Sequence, residues 1–255
     1  MAMTLDQVLV GELAPYAQQV VSVAGKTIAT NQILYASQED LWSTCGLPLV
    51  GGNVPANAEQ RLYQLEAGQT GQGFTVGLSQ AETNSPWGSR AQGNETYLCF
   101  SIGFEFYSTS GVGSLAPVPI SSITDIQTLG QNLFWTLQMG GGPERAMGLL
   151  GQYPWGAGAY AASTFAVAVA DPQIPVVGTA VANTTNGFRD GGAQNGGPNV
   201  PQRKRATFLP FPPNIDVIIK IKSGSSALNL GPQFSGTEAI AVKACMRGFR
   251  VTLPA

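Results

Sequence analysis

The chain has 255 residues, enough to bury a real core in one large domain or two small ones. Charged residues are 11% of it, against about 25% in ordinary soluble domains, so its polarity rests on Ser, Thr, Asn and Gln among 32 Gly and 17 Pro. There is no histidine at a net charge of −2, which excludes imidazole triads, His-ligated zinc and His general bases.

In chain order, Thr4 and Gln7 make a capping-box pattern, and Leu5, Val8, Leu9 and Leu13 share a face until Pro15. This predicts a short helix in an N-terminal arm over about residues 1–24. Residues 26–37 read as a strand pair or one long strand, ending at the turn-prone Ser37 to Asp40. Asn57 as cap, Leu62 and Leu65 as apolar positions and Gly68 as stop predict a second short helix. Strands are expected over 73–79 and 97–107; in the second, Leu98, Phe100, Ile102, Phe104 and Phe106 occupy one parity.

Residues 122–133 read as a helix running into a strand over 134–139. After the break at Gly140 to Pro143 come a helical turn, a loop over 151–158 and a strand over 159–170. Residues 146–170 carry no charge, yet Gly148, Gly151, Pro154, Gly156 and Gly158 fill the first half. That leaves about a dozen continuous apolar residues, too few to cross a bilayer. A strand follows over 176–182, and 183–201 reads as one long exposed loop. The last quarter is the most strand-like, with strands over 206–209, 216–222, 227–230 and 238–253 and a bulge at Gly248. With no repeat and no linker, the pattern predicts one all-β domain over 1–255 with about eight to eleven strands.

Few side chains suggest chemistry. Cys45, Cys99 and Cys245 lack metal-ligand spacing and read as reduced core thiols of a protein made in a cytoplasm. The run Gly140-Gly141-Gly142 is followed by Pro143-Glu144-Arg145, without the Lys and Ser or Thr of a phosphate loop. Among Glu39, Asp40, Glu95, Glu105, Asp125 and Glu144 no pair stands out as a glycosidase dyad. Glu105, inside an aromatic strand, reads as solvent-facing opposite the core. Trp87, Tyr153 and Trp155 are either sugar platforms or loop anchors. The expectation is a non-enzyme with no catalytic residue, metal or cofactor.

Charge is distributed unevenly. Residues 1–200 hold 5 basic and 13 acidic residues, net −8, and residues 201–255 hold 8 basic and 2 acidic, net +6. Arg203, Lys204 and Arg205 form a cluster, while Lys220, Lys222, Lys243, Arg247 and Arg250 are spread over the last strands. Three readings stay open for Arg203, Lys204, Arg205, Arg247 and Arg250: an acidic surface on a neighbouring subunit, phosphates of nucleic acid or lipid, or plain solvation. A pI near 5.1 argues against nucleic-acid binding as the main task.

The runs YLCFSIGFEFY (97–107), GLLGQYPWGAG (148–158) and AIAVKACMRGFRVTLPA (239–255), in a low-charge chain rich in Gly, Pro and Asn, resemble the jelly-roll major capsid proteins of tailless icosahedral bacteriophages. The resemblance is one of style and order over about two thirds of the chain. It implies a viral jelly-roll β-sandwich with a short N-terminal helix and long loops. It also implies a virion protein, made in the host cytoplasm, that self-associates as a trimer or larger capsomer. Other virion proteins, and a genome or internal membrane on the basic face, are the partners it implies. A double roll needs sixteen strands, about sixteen residues each at this length, so a single roll is favoured over a compact double roll. Competing classes are a carbohydrate-binding or carbohydrate-active β-sandwich and a phage spike or decoration protein.

Overall fold

The computed structural model describes residues 21–23, 26–28, 35–86, 88, 91, 95–109, 118–120, 123–153, 159–160, 194–195, 204–234, 237 and 239–252. In chain order the elements are β1 (Val21–Val23), β2 (Lys26–Ile28), β3 (Tyr35–Pro48), β4 (Glu59–Leu62), β5 (Glu95–Thr109), β6 (Val118–Pro119) and the helix α1 (Ile123–Asn132). They continue with β7 (Leu133–Met139), β8 (Arg145–Leu149), β9 (Ala159–Tyr160), β10 (Gln194–Asn195), β11 (Lys204–Phe211), β12 (Val217–Ser223) and β13 (Ala239–Thr252).

Two antiparallel sheets make an all-β sandwich. Sheet I runs β11-β5-β13-β3, with β6 also on β5; sheet II runs β4-β12-β7-β8. The pairings nest: β3 with β13, β4 with β12, β5 with β11 and β7 with β8. Each strand's alternation says why it sits where it does. In β12, Val217, Ile219, Ile221 and Ser223 are buried while Ile218, Lys220 and Lys222 are half-buried on the other side, the pattern of a sheet with one face on a core. One continuous cluster joins Leu47, Ile102, Phe104 and Val242 of sheet I to Leu62, Trp135, Ile219 and Ile221 of sheet II. Phe104 and Trp135, on facing strands, have ring centroids 5.8 Å apart. Helix α1 closes the core with Ile126 and Leu129, and Asp125 in its first turn accepts a hydrogen bond from Gly231 N at 2.9 Å.

The bulge expected at Gly248 is present, and it reorganises β5. Arg247 pairs with Ser101 and Gly248 with Cys99, so Phe100 is the extra residue and the strand changes face there. Ile102, Phe104 and Phe106 point into the core below the bulge, and Tyr97 and Cys99 do so above it. The single parity expected for Leu98 to Phe106 therefore does not hold: Phe100 leaves the core side and stacks at 5.6 Å on Phe249. Glycine is required at 248, because a Cβ there would lie 2.7 Å from Tyr97 Cζ and would overlap the Leu98 carbonyl.

Five segments correct the sequence reading. The helix expected over 57–68 is the strand β4: Asn57 has φ 55° and Tyr63 φ 56°, and pairing with β12 buries Leu62. Tertiary pairing outweighs an i, i+3 apolar spacing in so short a segment. The strand expected over 73–79 is irregular chain in the β4–β5 connection. The turn expected at Ser37 to Asp40 lies inside β3, which pairs residue for residue with β13 from Thr252↔Tyr35 to Ala239↔Pro48. Further on, the chain after the Gly140 to Pro143 break is first the strand β8, and the helical turn comes only after it, as a single 3-10 turn at Leu150–Gln152; 227–230 contributes one bridge, Leu228 to Val54. The helix read at 4–14 and the strand read at 176–182 lie outside the described residues, as do 183–201 apart from Gln194–Asn195, which pair with Tyr160 and Ala159.

The β4–β5 connection seals one side of the sandwich. Gln72 accepts from Gly46 N through its backbone oxygen (2.8 Å) and from Arg61 N through Oε1 (2.9 Å), bridging the free edges of β3 and β4. Asn84 caps the edge of β3 alone farther along, accepting from Trp42 N at 2.6 Å and donating to Asp40 O at 2.8 Å. Such capping removes the unpaired backbone groups that make edges adhesive.

Candidate functional site

The outer face of sheet II carries a square of charges. Register places Lys220 and Lys222 of β12 beside Arg61 and Glu59 of β4, and Glu144, just before β8, reaches across β7. Lys220 lies 2.9 Å from both Glu59 and Glu144; Lys222 lies 3.0 Å from Glu59 and 2.6 Å from Glu144. Each cation thus bridges both carboxylates. Lys222 and Lys220 together hold the Glu144 carboxyl at about 2. Burial would raise Glu59, but the same two ammonium groups overcome it and lower it. Both lysines are raised in return, Lys220 chiefly by Glu59 and Lys222 chiefly by Glu144. The square is saturated with its own counter-charges, so it serves as a clamp between β4, β12 and the β7–β8 hairpin.

Sheet I carries the predicted Arg247 and Arg250, and the structure gives each an acid within the chain. Arg247 makes a two-toothed contact with its cross-strand neighbour Asp40, Nε to Oδ1 at 3.0 Å and Nη2 to Oδ2 at 2.9 Å. Arg250 lies 2.9 Å from Glu39. Alternation along β3 puts these two pairs on opposite faces of the sheet. The backbone of Lys204 pairs with Ser101, which pairs with Arg247. Of Lys204 and Arg205 only the backbone, in β11, is described, and Arg203 lies outside the described residues. The structure therefore puts Arg247 and Arg250 on opposite faces of one strand, each with its own acid, and keeps the square's lysines on the other sheet.

A second polar group sits on the outer face of sheet I beneath residues 71–85. Glu105 is half-buried and accepts from Tyr107 Oη at 2.6 Å. Burial raises its carboxyl, opposed by the Tyr107 hydroxyl and by Lys243, its cross-strand partner. Lys243 donates to Ala81 O at 3.2 Å and lies 5.3 Å from the Trp42 ring centroid. Trp42 in turn donates from Nε1 to Gln80 O at 3.0 Å. Glu105 is on the face opposite the core, as its parity predicts, but shielded rather than open to solvent.

Other expected features resolve simply. Tyr153 is no sugar platform: it is a core residue, packed edge-on against Trp135 at 5.5 Å and donating to Met147 O at 3.0 Å. Trp87 and Trp155 lie outside the described residues. All three cysteines are buried; burial pushes Cys45 and Cys245 well above the ordinary thiol range. Cys45 and Cys99 face the core opposite Val242 and Gly248, roughly 20 Å apart at 3.3 Å per residue, and Cys245 faces the other way. Among the described residues no group of Cys, Asp or Glu is placed to hold a metal ion, and no helix is long and apolar enough to cross a membrane. Comparisons of the chain with protein-family models, with curated proteins and with solved structures found no match.

Proposed function

We propose that the sandwich is a single jelly roll and that the chain is a shell-forming structural protein of a virion, associating with copies of itself. The observation that carries this is the nesting of strand pairs. Count the strands of the two sheets from β3 to β13, leaving out β6, β9 and β10. The first pairs with the eighth, the second with the seventh, the third with the sixth and the fourth with the fifth. Pairs one and three lie in sheet I, pairs two and four in sheet II. A long antiparallel ribbon rolled upon itself gives that order, and such rolls are the fold of viral capsid domains, lectin domains and cupins.

Within that set, the residues favour the shell. The chain has no histidine to ligate the metal of an enzyme-type roll. The lectin-type reading loses Tyr153 to the core. Charge is low, and Lys220, Lys222, Arg247 and Arg250 are paired with carboxylates inside the fold, so association would rest largely on apolar and neutral polar contact between copies. Lys204 and Arg205, which open β11 at the edge of sheet I, are with Arg203, the residue before them in the sequence, the segment we assign to contact with a neighbouring acidic surface or with phosphates of genome or membrane. The test is light scattering with negative-stain microscopy of the purified chain over a range of concentration and salt. Trimers, larger capsomers or closed shells are expected. A chain that stays monomeric throughout and binds a glycan array overturns the reading in favour of a lectin-like module.

A further inference from the structure

We propose that copies of the chain dock head to tail, the Val50 turn of one seating in a dimple beside Arg145 of the next; this rests on the self-associating reading above. The knob is built by a tight turn. Val50 N donates to Asn53 O at 2.9 Å and Asn53 N to Val50 O at 3.1 Å. Gly51 and Gly52 between them have φ 59° and 78°, the positive-φ pair that a two-residue hairpin turn needs and that glycine supplies without strain. The turn is thus rigid before any partner arrives, which lowers the ordering cost of association. At its base Val50 is 69% exposed, the most exposed large apolar side chain among the described residues. The neighbouring Gly51 is exposed, and its carbonyl has no donor among the described residues.

The hole is the dimple of about 170 Å³ at the β7–β8 hairpin, lined by Leu137, Met139, Gly142, Pro143 and Arg145. A cavity of roughly 150 Å³ holds a benzene-sized group, so one branched aliphatic side chain fits. Arg145 at the rim is exposed and has no acceptor among the described residues, whereas Arg247, Arg250, Lys220 and Lys222 each have a carboxylate. Its guanidinium, with five donors, complements the free carbonyl beside Val50, as the apolar floor complements the valine.

Knob and hole are at opposite ends of the sandwich. Gly140 N bonds Asp216 O at the start of β12, while Val54 N bonds Leu228 O beyond its end, roughly 20 Å away along the strand. One chain cannot fill its own hole. The contact is heterologous, closing into a ring or running on as a string according to the rotation between copies.

The experiment uses Val50→Asp and Arg145→Glu, both at exposed positions, with circular dichroism to confirm that each folds. Losing one buried valine contact should raise the concentration needed for association about tenfold to a hundredfold. The decisive measurement is complementation by analytical ultracentrifugation of distinguishably labelled chains. V50D keeps its hole and R145E its knob, so an equimolar mixture should recover a mixed pair that neither variant forms alone. Variants that associate at the parent's concentrations, or mixtures with no excess of mixed pairs, overturn the docking while leaving self-association intact. A parent chain that never associates overturns both.

Discussion

Replacing Glu144 by Gln removes one corner of the charge square while leaving its shape. Taken at face value, a fall from the ordinary 4.5 to about 2 is worth about 3.4 kcal/mol, at 1.36 kcal/mol per pH unit. That figure is a ceiling, since the Glu144 side chain retains 26% of its exposure and water screens such pairs to about 0–1 kcal/mol each. Two contacts are lost, to Lys220 and Lys222, but both lysines keep Glu59. The net expectation is about 1 kcal/mol, or a fall in Tm of roughly 2–4 °C for a chain of this size. The pH dependence is a stricter test. A carboxylate whose folded value is depressed contributes above its unfolded value, 4.5, and loses that contribution as pH falls toward 2. The lysines are raised, so their share is present below 10.5 and lost as pH climbs beyond it. Urea midpoints of parent and E144Q should therefore differ by a constant amount between about pH 5 and 10 and converge on either side. The gap should also shrink in 1 M salt, where screening acts within about 3 Å. A gap that is unchanged at pH 3, or that survives in a Lys220→Met, Lys222→Met background, would refute an electrostatic origin.

Three other perturbations test the packing. Gly248→Ala should destabilise by about 1–3 kcal/mol through overpacking against Tyr97, whereas Gly224→Ala, with open space around its Cβ, should leave the urea midpoint almost unmoved; equal effects would mean that the bulge is misassigned. Trp135→Ala removes a side chain buried in the core and should cost about 3–5 kcal/mol, read as a lost cooperative transition or a midpoint far below the parent's. In native buffer a disulfide-forming thiol reagent should label Cys45, Cys99 and Cys245 only as fast as the chain unfolds, and all three at once in urea; rapid labelling of the folded chain would contradict their burial.

What could be read from the sequence was what one strand settles alone. The apolar run at 97–107 and the step from helix to strand near Leu133 appear where local pattern put them, and a lone glycine in a strand correctly announced the bulge at 248. What could not be read was decided by a partner. The parity of β5 changes at Phe100 because of a glycine on β13, so no periodicity within 97–107 could show it. Only pairing with β12 makes β4 a strand, and the four residues of β4 carry too little alternation to compete with a helical spacing. The capping roles of Gln72 and Asn84 belong to polar residues in irregular chain, which carries no period at all.

The charge layout shows the same limit in its sharpest form. A chain that is −8 over its first 200 residues and +6 over its last 55 looks like two surfaces seeking each other in different molecules. The topology supplies a nearer partner. β13, with Lys243, Arg247 and Arg250, inserts between β3 and β5, which bring Glu39, Asp40 and Glu105. β12, with Lys220 and Lys222, inserts between β4 and β7, flanked by Glu59 and Glu144. In a nested set of antiparallel pairs the last strands must lie against the first, so opposite charge at the two ends of the sequence becomes neighbouring charge in each sheet. That polarity favours the nested register over slipped ones, because a one-residue slip would move Arg247 to the face opposite Asp40. Five of the eight C-terminal cations are accounted for in this way. Of the C-terminal cations, Arg203, Lys204 and Arg205 are then the ones left to contribute to any salt-dependent association.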